Sequence, residues 1–263
     1  MAAYLELHRS GKLRERVNAA LSLLGKCSVC PRTCGVDRLA GDTGKCRTSR
    51  DAMVSSYGPH FGEESPLVGK YGSGTIFLTS CNLSCVFCQN YPISHLAEGQ
   101  KVSKDELAYI MLSLQARGCH NINLVSPTHV VPQILEALEL GVESGLHLPL
   151  VYNSGGYDSV ETLRILDGIV DIYMPDMKYD DAGIARELSG IEDYPEVNKA
   201  AIKEMHRQTG DLDINQEGVA RRGILVRHLV LPHRLAGTKG IVDFLSEEIS
   251  CNTYVNIMGQ YRP

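Results

Sequence analysis

From residue 75 onward the chain alternates short apolar runs with longer amphipathic stretches, the pattern of βα units feeding a parallel sheet. Runs at residues 75–79, 122–125, 148–152, 169–174, 224–231 and 254–258 read as strands. The first helix between them is the best marked: Ser103 and Glu106 form a capping box, Leu107, Ile110, Met111 and Leu114 line one face, and Gly118 ends it. Further helices are expected around 131–140, 158–166, 195–208 and 238–249. Neither a short-period repeat nor a low-complexity tract interrupts them. In such a chain all strand C-termini fall at one end, where parallel α/β folds bind their ligands. Polar motifs should therefore sit just past each strand.

Ahead of this pattern, Leu13, Val17, Ala20, Leu21 and Leu24 recur at helical spacing within residues 4–24, with Gly25 as the stop. This helix is expected to pack against the outside of the main domain. Cys27, Cys30, Cys34 and Cys46 follow in a stretch punctuated by Pro31, Gly35, Gly41 and Gly44. Four thiolates in a turn-rich loop suit a tetrahedral metal such as zinc or an iron–sulfur cluster, the alternative being unrelated buried thiols. Residues 47–73 are weakly periodic and read as an irregular lead-in, from which His60 and Glu64 could reach the strand ends. The chain thus divides into an N-terminal helix with a four-cysteine extension at 1–70 and an α/β domain at 71–263.

Composition narrows the chemistry. With 43% apolar residues in 263 there is material for a sizeable core. The net charge of −5, with no basic run longer than Arg221-Arg222, lacks the footprint of a nucleic-acid binder. A protein, peptide or small molecule fits better as substrate. No apolar stretch approaches the roughly 20 residues that span a membrane. The nine cysteines are odd in number, two metal-type groups take most of them, and no apolar signal region precedes them. Together these features predict a reducing, cytoplasmic compartment.

The second cysteine group, Cys81-x-x-x-Cys85-x-x-Cys88, directly follows the first predicted strand. Thiolates on a loop leaving a strand can hold a 4Fe-4S cluster, and three of them leave one of the four irons open. An amine beside a carboxylate, as at the methionyl end of S-adenosylmethionine, can chelate that iron, and one electron then splits the sulfonium to a 5'-deoxyadenosyl radical. A zinc knuckle is the bland alternative, but zinc prefers four ligands in paired spacings. The loop, with Phe87 before its last cysteine, resembles that of the radical S-adenosylmethionine superfamily. The longer run from Gly72 to Tyr91 is similar to the pyruvate formate-lyase activating enzyme-like branch. That resemblance implies a partial (β/α)6 TIM-like barrel, a 4Fe-4S cluster on Cys81, Cys85 and Cys88, S-adenosylmethionine as cofactor, and an electron donor such as flavodoxin or ferredoxin.

Motifs past the other strands are consistent with this. Ser126-Pro127-Thr128-His129 stands where many superfamily members have Gly-Gly-Glu, so the Thr128 hydroxyl is a candidate to accept the methionyl ammonium and His129 to contact substrate. Asn153, Ser154 and Gly155 offer donors and a close backbone approach to a carboxylate or ribose, as a similar Thr-Asn-Gly does in activating enzymes. Asp176 and Lys178 project to one side and match an Asp-x-Lys implicated in cofactor binding, with a structural ion pair as the alternative. Arg227 lies in a strand resembling the family's Arg-x-x-Val-x-Pro, which implies that it faces the cavity as a partner for a cofactor or substrate anion, with a salt bridge to Asp176 as the alternative. Similar sequences continue for another helix past residues 259–263, so the edge of the last strand is expected to be uncovered. The resulting expectation is a radical enzyme that abstracts hydrogen from a substrate, with a glycine of a partner protein suggested by the branch. The alternatives are action on a small molecule or another side chain, and a non-catalytic iron–sulfur electron-transfer protein.

Overall fold

A computed structural model describes residues 2–259. Its strands are β1 (Ala52–His60), β2 (Ser73–Leu78), β3 (Gln100–Val102), β4 (Ile122–Val125), β5 (Leu150–Ser154), β6 (Ile172–Pro175), β7 (Asp213–Ile214), β8 (Ala220–Leu229) and β9 (Tyr254–Met258). The helices are α1 (Tyr4–Arg9), α2 (Lys12–Ser22), α3 (Ser65–Val68), α4 (Tyr91–Ser94), α5 (Lys104–Ala116), α6 (Val131–Glu143), α7 (Val160–Ile165), α8 (Ala182–Ser189), α9 (Tyr194–Thr209) and α10 (Thr238–Phe244). The strands join in the order β3-β1-β2-β4-β5-β6-β8-β7, with β9 also on β8. From β2 through β4, β5, β6 and β8 to β9 every pairing is parallel. The sheet does not close, and the architecture is the α/β partial barrel that the alternation predicts.

All six expected strands are present as β2, β4, β5, β6, β8 and β9, with ends shifted by a few residues. The lead-in expected at 47–73 instead contains β1, a strand of nine residues running antiparallel to β2, with β3 on its other edge. Its burial alternates only over Ala52 to Val54, because pairing with two neighbours rather than an apolar face makes it a strand. The single helix expected at 4–24 is broken into α1 and α2, since Gly11 adopts φ 76° and the Ser10 hydroxyl bonds back to Glu6 O. Tyr4, Leu13, Val17 and Ala20 nonetheless join the main core beside α5 and α6 residues. At the other end, β9 is half-buried with Ile257 exposed, and the sequence expected to lack its covering helix lies outside the described residues.

Alternation along the parallel strands separates two environments. Ile76 and Leu78, Ile122 and Leu124, Leu150 and Tyr152, and Ile224 and Val226 face the helix-covered core. On the inner face Val151, Met174 and Leu225 form a smaller apolar cluster, which Leu67 of α3 joins. Two residues further along those same three strands come Asn153, Asp176 and Arg227. The inner face therefore changes from apolar to charged within one strand repeat, at the C-terminal end of the sheet.

Asp171, just before β6, ties the N-terminus to this sheet, its Oδ1 accepting Ala3 N at 2.8 Å and its Oδ2 accepting Leu150 N at 2.9 Å. Burial pushes its carboxyl up to about 6 despite those two bonds. Asp171→Ala should cost about 1 to 3 kcal/mol in urea unfolding, because two N–H groups lose their acceptor. It should also speed hydrogen exchange at Ala3; an unchanged midpoint would remove Asp171 from the anchoring role.

Candidate functional site

A cavity of about 210 Å³ opens at the C-terminal ends of the parallel strands. Cys81, Cys85, Phe87 and Cys88 of the cysteine loop line it together with Asn153, Ser154, Gly155, Asp176, Lys178 and Arg227 from the strand ends. Ser80 and Ser126, at the ends of β2 and β4, also line it, and both hold left-handed backbone, at φ 67° and 59°. Non-glycine residues in that region carry a cost and cluster at functional sites. The Ser80 hydroxyl is buried without a hydrogen-bond partner among the described residues.

Charge in the cavity is organised around Arg227. Its Nε lies 2.9 Å from Asp176 Oδ1, one NH2 group donates to Asn153 Oδ1 at 2.8 Å, and Glu64 Oε1 stands 4.0 Å away. Accepting from Arg227 fixes the Asn153 amide and leaves its Nδ2 as the donor end. Lys178 Nζ sits 2.6 Å from Asp176 Oδ2. Burial would raise the Asp176 carboxyl, but Arg227 and Lys178 together hold it below the usual carboxylate range. Burial alone would lower the Lys178 ammonium, and Asp176 instead raises it well above the usual lysine range. The ion pair weighed as an alternative role for these residues is thus present, and it lies in the cavity wall. Glu64, which the sequence left without a role, accepts from Asn256 Nδ2 at 3.0 Å beside Arg227.

Gly155 lines the cavity, and both glycines of this loop also approach other parts of the protein closely. A Cβ on Gly155 would come within 2.7 Å of Leu83 Cδ1, and one on Gly156 (φ +76°) within 2.1 Å of Asp176 O. Their close approach is thus to the cysteine loop and to the chain end of β6. Two residues of α9 brace the same point without any sequence signal beyond their i, i+4 spacing. Asn198 Nδ2 donates to Gly156 O and Asp176 O at 2.9 Å, and the Tyr194 hydroxyl accepts from Lys178 N and lies 2.9 Å from Gly155 O.

Thr128 is not part of the cavity lining; its hydroxyl donates to Asp158 Oδ1 at 2.6 Å. Tyr152 and Ser154 hydroxyls complete a three-donor cradle on that buried carboxylate, at 2.9 and 2.6 Å, while burial raises its pKa. The Ser154 hydroxyl is thereby committed to the protein. His129 likewise lies behind the site, fully buried, with Nε2 2.9 Å from Thr79 O.

The four-cysteine stretch packs against the same end of the sheet. Cys27, Cys30 and Cys46 are buried and Cys34 half-buried, and all nine cysteines are free thiols. Burial, with the neighbouring Cys46, Cys27 and Cys34 adding to it, pushes the Cys30 thiol up to about 12. Gly44 is required where it stands, because a Cβ would meet Cys34 Sγ at 2.7 Å. Arg32 Nε donates to Asn82 O inside the other cysteine loop at 2.9 Å, and Arg47 donates to Ser94 O at 3.1 Å. The buried Arg38 reaches Ser49 O and His129 O. Two cysteine groups separated in sequence are thus neighbours in space.

The donor set fits an iron–sulfur cluster. Burial pushes the Cys81 thiol up to about 12 and raises Cys85, and a metal bound there would take the place of the thiol proton. Among the described residues no three His, Cys, Asp or Glu side chains converge at single-ion spacing.

Among solved structures, a radical SAM methyltransferase from Sphaerobacter thermophilus superposes with a TM-score of 0.51 at 14% identity, over 72% of this chain and 59% of that one. The fold is accordingly that of radical SAM proteins, and this chain spans less than two thirds of that neighbour. A structure of TYW1 with a bound lysine–pyruvate adduct aligns at a TM-score of 0.37 and 10% identity, over 61% of this chain and 56% of that one. In sequence the chain is 31% identical over 268 positions to MJ0674, an uncharacterised protein of Methanocaldococcus jannaschii, covering 98% of this chain and 72% of that protein. The chain belongs to the family of MJ0674. No protein-family model matches it, and no helix among the described residues is long and apolar enough to cross a membrane.

His129 gives the site a pH-dependent support. Burial, with the nearby Arg38 charge, lowers its pKa to about 4 from an unfolded value near 6.5. A depressed folded pKa means that the unfolded chain binds the extra proton, so stability is lost as pH falls from about 6.5 through 4. The full loss is about 3 kcal/mol. Asp171, with its carboxyl raised to about 6, titrates in the same window with the opposite sign. The His129 contribution is therefore read as the wild-type minus His129→Gln difference in denaturation, which should change by about 3 kcal/mol across this window; a difference that stays constant with pH would remove His129 from this role.

Proposed function

We propose that this chain is a radical S-adenosylmethionine enzyme, with Cys81, Cys85 and Cys88 holding a 4Fe-4S cluster and the strand-end residues of the same cavity holding the cofactor. The observation that carries this reading is that the three thiols and the strand-end charges Asp176, Lys178 and Arg227 line one cavity. When bound, the cluster supplies the electron that splits the sulfonium, and the resulting 5'-deoxyadenosyl radical takes a hydrogen from substrate. Asn153 Nδ2 offers a donor to the cofactor's ribose or carboxylate, and Lys178 and Arg227 present fixed positive charge. Asp176 keeps both cations oriented, and Gly155 seats the β5 loop against Leu83 of the cysteine loop. Thr128 acts indirectly in this reading, steadying Ser154 through their shared carboxylate, Asp158. A simple electron carrier has no use for such a cavity, which counts against the non-catalytic alternative.

The finer reading is an activating-enzyme-like oxidoreductase that draws hydrogen from a glycine on a partner polypeptide, with a flavodoxin or ferredoxin as electron donor. It rests on the run from Gly72 to Tyr91 and on the Asp176-x-Lys178 pair. Cys27, Cys30, Cys34 and Cys46 form a second metal centre, a zinc or another iron–sulfur cluster. The bond from Arg32 to Asn82 O supports the second cluster, since it puts this loop one arginine side chain from the first.

Anaerobically reconstituted protein should release 5'-deoxyadenosine and methionine on reduction with dithionite, and Cys85→Ala should abolish that release. Retained cleavage in the variant would refute the cluster assignment. Asp176→Ala and Lys178→Ala should keep the cluster absorbance yet weaken S-adenosylmethionine binding about ten- to over a hundredfold, the equivalent of one charged hydrogen bond. Unchanged affinity in both would leave the pair with a structural role alone. Metal analysis separates the options for the N-terminal centre, about four irons and one zinc against about eight irons per chain. A metal content unaltered by Cys30→Ala would mean that these thiols hold none.

A further inference from the structure

The sulfur of Cys85 has a polar partner from an element that contributes nothing else to the cavity. Ser189, the last residue of α8 and wholly buried, donates from Oγ to Cys85 Sγ at 2.9 Å. Its own oxygen lies 2.7 Å from the buried Tyr179 hydroxyl. The end of α8 also grips the cysteine loop through its backbone, Leu188 O accepting Val86 N at 2.9 Å. Around this contact the packing is apolar and aromatic: Ala185 and Tyr194 are buried with Tyr179, whose ring meets Phe87 and Tyr194 edge-on.

The other two sulfurs are served less directly. Cys81 Sγ receives Leu83 N at 3.4 Å, and Cys88 Sγ lies 3.1 Å from Ser94 Oγ, which also faces His95 Nδ1 at 2.9 Å. A thiolate ligand can only accept. Ser189 has a single hydroxyl proton, so if that proton points at sulfur, Tyr179 must give its own to Ser189. The pair then forms a one-way chain of donors ending on Cys85, in surroundings where hydrogen bonds polarise one another and are poorly screened.

We propose that Tyr179 and Ser189 are positioning residues that set the reduction potential of the cluster by donating to the Cys85 sulfur. This inference rests on the cluster reading above. Reduction adds negative charge that is shared with the cysteine sulfurs, and a donor aimed at one of them favours the reduced form and raises the potential. Neither residue touches the cavity, so their effect is separable from cofactor binding.

The test is a redox titration of the anaerobically reconstituted full chain, followed by electron paramagnetic resonance of the reduced cluster. Ser189→Ala should retain the full iron content and titrate at a more negative potential, by about 59 mV for a tenfold change in the one-electron equilibrium. Tyr179→Phe, which keeps the ring and its packing, should shift the same way by less, and Ser189→Thr should restore the wild-type value. Tyr179→Phe carries the test if Ser189→Ala fails to fold. Variants with full iron that titrate at the wild-type potential overturn the inference while leaving the cluster in place. A wild-type chain that takes up no iron would overturn the enzyme reading itself.

Discussion

A guanidinium inside an open barrel must be paired, and the compensation of Arg227 organises much of this molecule. Its partners come from the ends of β5 and β6 and from the segment after β1: Asn153, Asp176 and Glu64. Leaving one member of a buried pair uncompensated costs about 3 to 5 kcal/mol. Four separate stretches of chain are therefore held in register at one point, with Lys178 as the second cation on Asp176. The arrangement costs desolvation and yields two oriented positive groups in the cavity that three thiols also line.

The supports behind that cluster of charges are mostly neutral. Tyr194 and Asn198 of α9 bond the carbonyls of Gly155, Gly156 and Asp176, and Asp158 gathers three hydroxyls beneath Ser154. The α9 contacts fix loop backbone and those of Asp158 fix side chains, and together they hold the strand-end geometry. The N-terminal extension contributes in the same way, since Arg32, Arg38 and Arg47 each end on a backbone carbonyl at this end of the sheet.

That location changes how the four-cysteine stretch relates to the site. In sequence it precedes the sheet and is separated from it by a segment of weak pattern. In the fold, β1 carries the chain back along β2, so the stretch before β1 emerges beside the loop after β2. Antiparallel pairing of one strand is enough to bring two remote cysteine groups together.

The local pattern of the sequence determined the parallel strands, the α5 capping box and the strand-end position of Cys81, Cys85, Cys88, Asn153, Asp176, Lys178 and Arg227, because strand periodicity and βα alternation are short-range properties. Thr128 and His129 were legible as strand-end residues, but the direction of each was not: both found partners behind the cavity, in Asp158 and Thr79. Tertiary structure alone decided β1, the break at Gly11, and the roles of Glu64, Asp158, Tyr179, Ser189, Tyr194 and Asn198. Apart from the break at Gly11, which its own backbone and the neighbouring Ser10–Glu6 bond make, these depend on partners that the local pattern does not point to. A hydroxyl or carboxylate carries no mark in sequence of which buried group it will satisfy, and only packing brings that group within hydrogen-bond reach.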